Sequence, residues 1–202
     1  MKILIASNNP GKIREIKSIL ADLPIQFFSV NEAQEKFGQI LPQDIEESAT
    51  TLEGNAELKA RQYAELSGLP CLADDSGLEL VAEPGFPGVH SNRWFSGTDE
   101  ERCLALLARM QNYQNRKATF QTVLCFYEPK NQQSHFFSAM IYGQIAKEIL
   151  PGEGFGYDSV FIPDGFSESY AQLGPKKKNE ISQRQQALQK FRKYIENIGK
   201  SI

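Results

Sequence analysis

The sequence is short of the features that mark several large protein classes. It carries three cysteines in 202 residues, Cys71, Cys103 and Cys125, an odd number with no C-x-x-C spacing. That excludes a disulfide framework and a zinc ribbon, and each lies in an apolar stretch, where a buried free thiol is the expectation. The two histidines, His90 and His135, stand far apart without a serine or cysteine frame, so neither is expected to be catalytic. No apolar run approaches the length of a membrane span, and the N-terminus enters a strand without the apolar core of a signal peptide. A soluble, cytoplasmic protein with no membrane partner is the expectation. An excess of one charge is also missing: 22 Lys and Arg against 25 Asp and Glu give a net charge of -3. Only Lys176-Lys177-Lys178 forms a basic run, which argues against a nucleic-acid partner. There is no G-x-x-x-x-G-K-[ST] frame either.

What the chain does have starts at its third residue. Ile3-Leu4-Ile5-Ala6 reads as a buried strand, and Ser7-Asn8-Asn9-Pro10-Gly11-Lys12 follows without a spacer. Ile13, Ile16 and Leu20 then recur at helical spacing, predicting a helix near 12–21 and a further strand near 25–30. Strand, polar turn and helix together aim backbone N–H groups and the positive helix end at an anion, and Lys12 adds a charge there. An ordinary capped turn has the same pattern. A polar stretch from Asn31 to Ala49 leads to a helix opened by Thr50 and Glu53 as a capping box, with Leu52, Ala56, Ala60, Tyr63 and Ala64 on its buried face and Gly68 as its stop. Leu69 to Ala73 reads as a buried strand that ends in Asp74-Asp75.

The middle of the chain changes character. Thr98 and Glu101 predict a capped helix carrying Leu104, Leu107 and Met110. The alternation from Ala118 to Phe126, the turn at Pro129 to Gln133 and the run Phe136 to Ile145 predict a long hairpin. A last helix bears Ile181, Leu188, Phe191, Ile195 and Ile198, with Gly199 as its stop. The fold class expected is α/β: an elongated mixed sheet flanked by helices, with two lobes around a deep central cleft, all within one domain over 1–202.

Four clusters could carry chemistry. Asp74-Asp75-Ser76-Gly77 sits where a strand is expected to end; paired carboxylates there call for a cation, and Mg²⁺ is the usual one beside phosphates. Glu47 could add a metal oxygen, although spacing alone favours a solvated loop. Gly154-Phe155-Gly156-Tyr157-Asp158 suits either a flat ligand stacked on Phe155 or a tight turn into the core. Arg184 lies three residues after Ile181 and four before Leu188, on the apolar face, so it needs a partner: a base carbonyl, a phosphate or a carboxylate such as Asp158. Lys178 lies one turn before Ile181, within reach of an anion.

Taken in order, these segments resemble the inosine/xanthosine triphosphate pyrophosphatase family. Ser7 to Glu15 is similar to its [ST]-x-N-x-x-K-x-x-E, Glu46 to Ala60 to E-E-T-G-x-T-F-x-E-N-A-x-x-K-A, and Ala73 to Glu79 to A-D-D-S-G-L-x. Pro87-Gly88-Val89, Ser91 and Arg93 follow P-G-V-Y-S-A-R, Gly154 to Phe161 resembles G-F-G-Y-D-P-x-F, and Ile181 to Arg184 resembles I-S-H-R. The resemblance implies a homodimer that hydrolyses ITP, dITP and XTP to the monophosphate and pyrophosphate with Mg²⁺. It further implies that Ser7, Asn8, Asn9, Pro10, Gly11 and Lys12 bind the triphosphate and that Lys12 takes part in catalysis. Asp75 becomes metal ligand and candidate base, with Asp74 and Glu47 near the metal. Ser76, Phe155, Gly156, Tyr157, Asp158, Lys178, Gln183 and Arg184 contact substrate. Gln183 stands where the pattern has histidine, Gly54 where it has glutamate, Ser159 where it has proline and His90 where it has tyrosine. Gln183 loses a titratable ring, so a related pyrophosphatase with shifted base preference is one alternative. A nucleotide-binding sensor without turnover is another.

Overall fold

A computed structural model describes residues 1–38 and 40–199. The chain forms a mixed α/β structure on one seven-stranded sheet, in the order β2-β1-β3-β5-β6-β7 with β4 paired to β3. The strands are β1 (Lys2–Ile5), β2 (Gln26–Ser29), β3 (Cys71–Leu80), β4 (Glu83–Pro87), β5 (Lys117–Glu128), β6 (Gln133–Ile145) and β7 (Phe161–Pro163). The helices are α1 (Pro10–Ile19), α2 (Val30–Phe37), α3 (Leu52–Ser67), α4 (Asp99–Arg109), α5 (Tyr170–Ile181) and α6 (Gln183–Gly199). None of the described helices is long and apolar enough to cross a membrane. The contacts divide the chain into two compact units.

The first unit holds Met1–Asp75, Thr122–Ser138 and the chain from Gln186 on. β1 pairs in parallel with β2 (Lys2 opposite Gln26, Ile5 opposite Ser29) and with β3 (Leu4 opposite Cys71, Ile5 opposite Leu72). Ile3, Leu4 and Ile5 are fully buried, as a central parallel strand requires. Leu4, Ala6, Val30, Ala33, Ala56, Ala60, Tyr63, Cys71 and Cys125 form one core. The expected stripe on α3 is buried except for Leu52, which is half-buried.

Three expectations are corrected here. The stretch after Asn31 is not all loop: α2 begins at Val30, with Ser29 and Glu32 as a full capping box, because Val30 and Ala33 give it an apolar face. The cap of α3 is Thr51 rather than Thr50, and the residue three beyond it is Gly54, which has no carboxylate to reply. The dyad Asp74-Asp75 does not end β3, which runs on to Leu80. Its partner β1 ends at Ile5, opposite Leu72, so the dyad lies just past the carboxyl end of the parallel pairing.

The second unit holds Ser76–Gln121 and Ala139–Gln185. β3 pairs antiparallel with β4, and β6 antiparallel with β7 (Gly143 opposite Pro163, Ile145 opposite Phe161). Its core gathers Leu78, Leu80, Cys103, Leu106, Met110, Tyr157, Phe161 and Tyr170. The capping box at Thr98 and Glu101 forms as expected, but α4 turns Cys103 and Leu106 inward and leaves Leu104 half exposed. The single C-terminal helix of the sequence reading is two helices. Ser182 is extended (φ −66°, ψ 160°) and its hydroxyl accepts the Gln185 N–H at 3.2 Å, so it closes α5 and caps α6.

Candidate active site

In the first unit α1 starts at Pro10, so Pro10 and Gly11 belong to its first turn rather than to the loop. Asn9 is the N-cap and accepts the Lys12 N–H at 3.1 Å, Ser7 accepts the Asn9 N–H at 3.2 Å, and the Asn8 amide donates to the Gln43 carbonyl. The turn is therefore fixed by its own side chains, which leaves the Lys12 side chain for other work. Its Nζ pairs with Asp74 Oδ1 at 2.7 Å and donates to the Asp74 carbonyl at 3.2 Å.

A second lysine converges on the same backbone carbonyl. Lys59, from the middle of α3, donates to Glu47 Oε1 at 2.5 Å, the Asp74 carbonyl at 3.0 Å and Asp75 Oδ1 at 3.1 Å. Glu47, Asp74, Asp75 and Lys12 are thus linked through Lys59 and the Asp74 carbonyl. Burial alone would lower the Lys59 pKa, but the Asp75 and Glu47 carboxylates outweigh it and hold the ammonium above its usual range. Burial pushes Asp75 up, opposed by Lys59 and Lys12 and reinforced by Glu47. Its other oxygen, Oδ2, is buried with no hydrogen-bond partner.

Sequence reasoning gave no role to Lys59 or to Asn55. The two are four residues apart on one face of α3. Asn55 is fully buried; its Oδ1 accepts the Ala49 N–H at 3.0 Å, steadying the segment that carries Glu47, and its Nδ2 has no partner. The available signal was the family pattern itself, whose N-A-x-x-K letters fall on Asn55 and Lys59.

The donor set decides what cation fits. Among the described residues no group of three His, Cys, Asp or Glu side chains could hold a metal by itself. Asp74 is engaged with Lys12 and its side chain is fully buried. Asp75 offers an unpartnered oxygen, and the Glu47 carboxylate, paired with Lys59, is a second hard oxygen donor. Two carboxylates completed by phosphate oxygens suit Mg²⁺, which dehydrates reluctantly and needs no all-protein cage.

The second unit holds a separate cluster. Arg184, 2% exposed in the first turn of α6, donates from Nη2 to Ser76 Oγ at 3.1 Å. Lys178 pairs with Asp158 Oδ2 at 2.6 Å, and the same oxygen accepts the Phe155 N–H at 2.9 Å. Asp158 is therefore a partner of Lys178 and of the Phe155 backbone. A side chain at Gly154 would place its Cβ 2.5 Å from Asp158 Oδ2, so only glycine allows this turn. The half-buried Phe155 ring has Lys178 Nζ 4.3 Å and Arg184 Cζ 5.7 Å from its centroid. Gln183 is buried and accepts from the Tyr170 hydroxyl at 3.4 Å. Tyr157 lies in the core, its hydroxyl donating to the Ser91 carbonyl at 2.6 Å and accepting from Trp94 at 2.7 Å. His90 accepts from Arg93 at 3.3 Å, and His135 packs against Tyr194. The three cysteines are free and buried, as expected.

A profile of the Ham1 family matches residues 3–194. The chain belongs to that family. Among curated Ham1-like relatives it is 37% identical over 213 residues to the dITP/XTP pyrophosphatase of Aquifex aeolicus, with 100% of each chain covered. It is 39% identical to the dITP/XTP pyrophosphatase of Porphyromonas gingivalis over 96% of this chain and 97% of the relative. The structure of a HAM1 protein from Coxiella burnetii superposes with a TM-score of 0.84 at 35% identity, covering 98% of this chain and 99% of that one. The Ham1 fold, a mixed sheet flanked by helices, is the fold found here.

Proposed function

We propose that this chain hydrolyses ITP, dITP and XTP to the nucleoside monophosphate and pyrophosphate, removing non-standard purines from the nucleotide pool. The dITP/XTP pyrophosphatase relatives support this reading. The observation that carries it is Asp75, a buried carboxylate with one oxygen on Lys59 and the other without a partner.

Asp75 is the general base. It takes a proton from a water whose oxygen attacks the α-phosphorus; the new P–O bond forms as the α–β bridging bond breaks, and that electron pair leaves with pyrophosphate. Lys12 and Lys59 meet phosphate oxygens and stabilise the charge that builds on them. Mg²⁺, held by Asp75 and Glu47 with phosphate oxygens, would neutralise the polyphosphate and polarise the phosphorus. In the second unit, Phe155 stacks on the base and Arg184 donates to the carbonyl oxygen that hypoxanthine and xanthine carry at C6. Adenine has an amino group there, a donor that cannot accept from the guanidinium. Cytoplasmic location and a homodimer belong to the same reading; sedimentation of the purified protein checks the latter.

Release of pyrophosphate from ITP, dITP, XTP, GTP and ATP with Mg²⁺ tests the proposal. The expected kcat/KM for ITP exceeds that for ATP by about 10²-fold or more. Equal rates would remove the base assignment, and binding without turnover would favour the sensor. Gln183 supports a second reading, a shifted base preference, because its buried amide replaces a ring that titrates near neutral pH. Gln183→His leaves the ranking of bases unchanged if Gln183 takes no part in it.

A further inference from the structure

The loop under Phe155 is gripped by two side chains of α4, Asp99 and Cys103, that lie outside every motif used so far. Gly156 has φ +61°, and both its backbone polar groups are taken by side chains of α4. Its N–H donates to Asp99 Oδ2 at 2.6 Å, and its carbonyl accepts from the Cys103 thiol at 3.2 Å. The Ser159 hydroxyl donates in turn to Cys103 Sγ at 3.7 Å. Ser159 stands where the family pattern has proline, which has no hydroxyl, so this last bond is a feature of this chain.

We propose that Asp99, Cys103 and Ser159 form a clamp that positions Phe155 for the base of the substrate. This rests on the reading that Phe155 meets the base. Three adjacent backbone groups are then fixed from two sides: the Phe155 N–H by Asp158, and the Gly156 N–H and carbonyl by α4. The helix is a firm support. It is capped by Thr98 and Glu101, and Cys103, Leu106 and Met110 are fully buried. Asp99 Oδ1 is steadied by Arg102 at 3.0 Å, which also donates to Asn92 at 3.1 Å. Burial pushes the Cys103 thiol up to about 11, so at neutral pH it keeps the proton it donates. A thiol is a weak donor, and an incoming bond from Ser159 polarises it. Gly156 in the left-handed region would otherwise swing the ring next to it through several orientations.

The clamp acts through Phe155 and touches no reacting atom, so its members are positioning residues. The test compares Asp99→Ala and Cys103→Ala with Asp99→Asn and Cys103→Ser, which keep an acceptor and a donor. Phe155→Ala is the reference for the base contact. KM and kcat for ITP, product inhibition by pyrophosphate and the melting temperature are measured on the full chain. Each alanine variant should raise KM about five- to tenfold, the equivalent of one lost hydrogen bond, with kcat and pyrophosphate inhibition within about twofold. Asn and Ser should bring KM back, and Ser159→Pro should give the smallest rise. If Phe155→Ala raises KM while the Asp99 and Cys103 alanine variants do not, the clamp is overturned and the base contact stands. If Phe155→Ala leaves KM unchanged, the base contact fails and the clamp falls with it. A fall in kcat that tracks melting temperature and is not restored by Asn or Ser marks support of the fold alone, which also overturns the proposal. Should an alanine variant fail to fold, Asp99→Asn and Ser159→Pro carry the test: KM must stay low in the first and rise in the second.

Discussion

The two units solve the problem of buried charge in opposite ways. In the first, the ammonium groups of Lys12 and Lys59 face three carboxylates, Glu47, Asp74 and Asp75, and one Asp75 oxygen has no partner. In the second, two cations, Lys178 and Arg184, lie over the Phe155 ring. The carboxylates beside it are spent on the loop: Asp158 Oδ2 takes the Lys178 ammonium and the Phe155 N–H, and Asp99 takes the Gly156 N–H. A surplus of carboxylate with an open acceptor suits a cation, a polyphosphate and a water that must lose a proton. Two cations over an aromatic ring suit a flat ligand rich in carbonyl oxygens. In the proposed function the same residue types serve reaction in one cluster and recognition in the other, because their partners differ.

The contrast can be broken at several points. Asp75→Asn keeps the shape of the first cluster and removes its base, so kcat for ITP should fall by about 10⁴-fold with the melting temperature little changed. In the second cluster the large effect should be on stability. Lys178→Met strands a buried carboxylate and should cost about 3–5 kcal/mol by chemical denaturation, whereas the double change with Asp158→Leu recovers much of it. Arg184→Met should lower the preference for ITP over ATP by about 10²-fold while turnover of ATP holds. The smallest effect is a slope with pH in the absence of divalent ions. Burial raises the Asp75 pKa above its ordinary 3.8, so the unfolded carboxyl loses its proton first and stability falls as pH rises through that window. Melting temperatures against pH in EDTA should show that slope, and Asp75→Asn should flatten it.

Much of this was legible in the sequence wherever one physical signal acted alone. Ile3-Leu4-Ile5 could only be a strand buried on both faces, and the α3 stripe could only be a helix. Two signals in competition were harder to separate. Ser182 sits inside a helical pattern of apolar residues, and the Ser182 to Gln185 cap that divides it is a local bond which periodicity does not register. Leu104 continued the apolar spacing of α4, yet the core took Cys103 and Leu106 instead. In the site, Lys12 and the Asp74-Asp75 pair were visible from their turn and strand contexts. The role of Lys59 was not, although the residue falls on the lysine of the family pattern, since a lysine on a helix is ordinarily solvated and only the fold places it between two carboxylates. Asn55 escaped for the same reason.

The central claim, attack by an Asp75-activated water at the α-phosphorus, is open to one direct measurement: hydrolysis of ITP in water enriched in oxygen-18. The label should appear in the monophosphate, with the pyrophosphate unlabelled. Label in the pyrophosphate, or release of inorganic phosphate instead of pyrophosphate, would contradict the account.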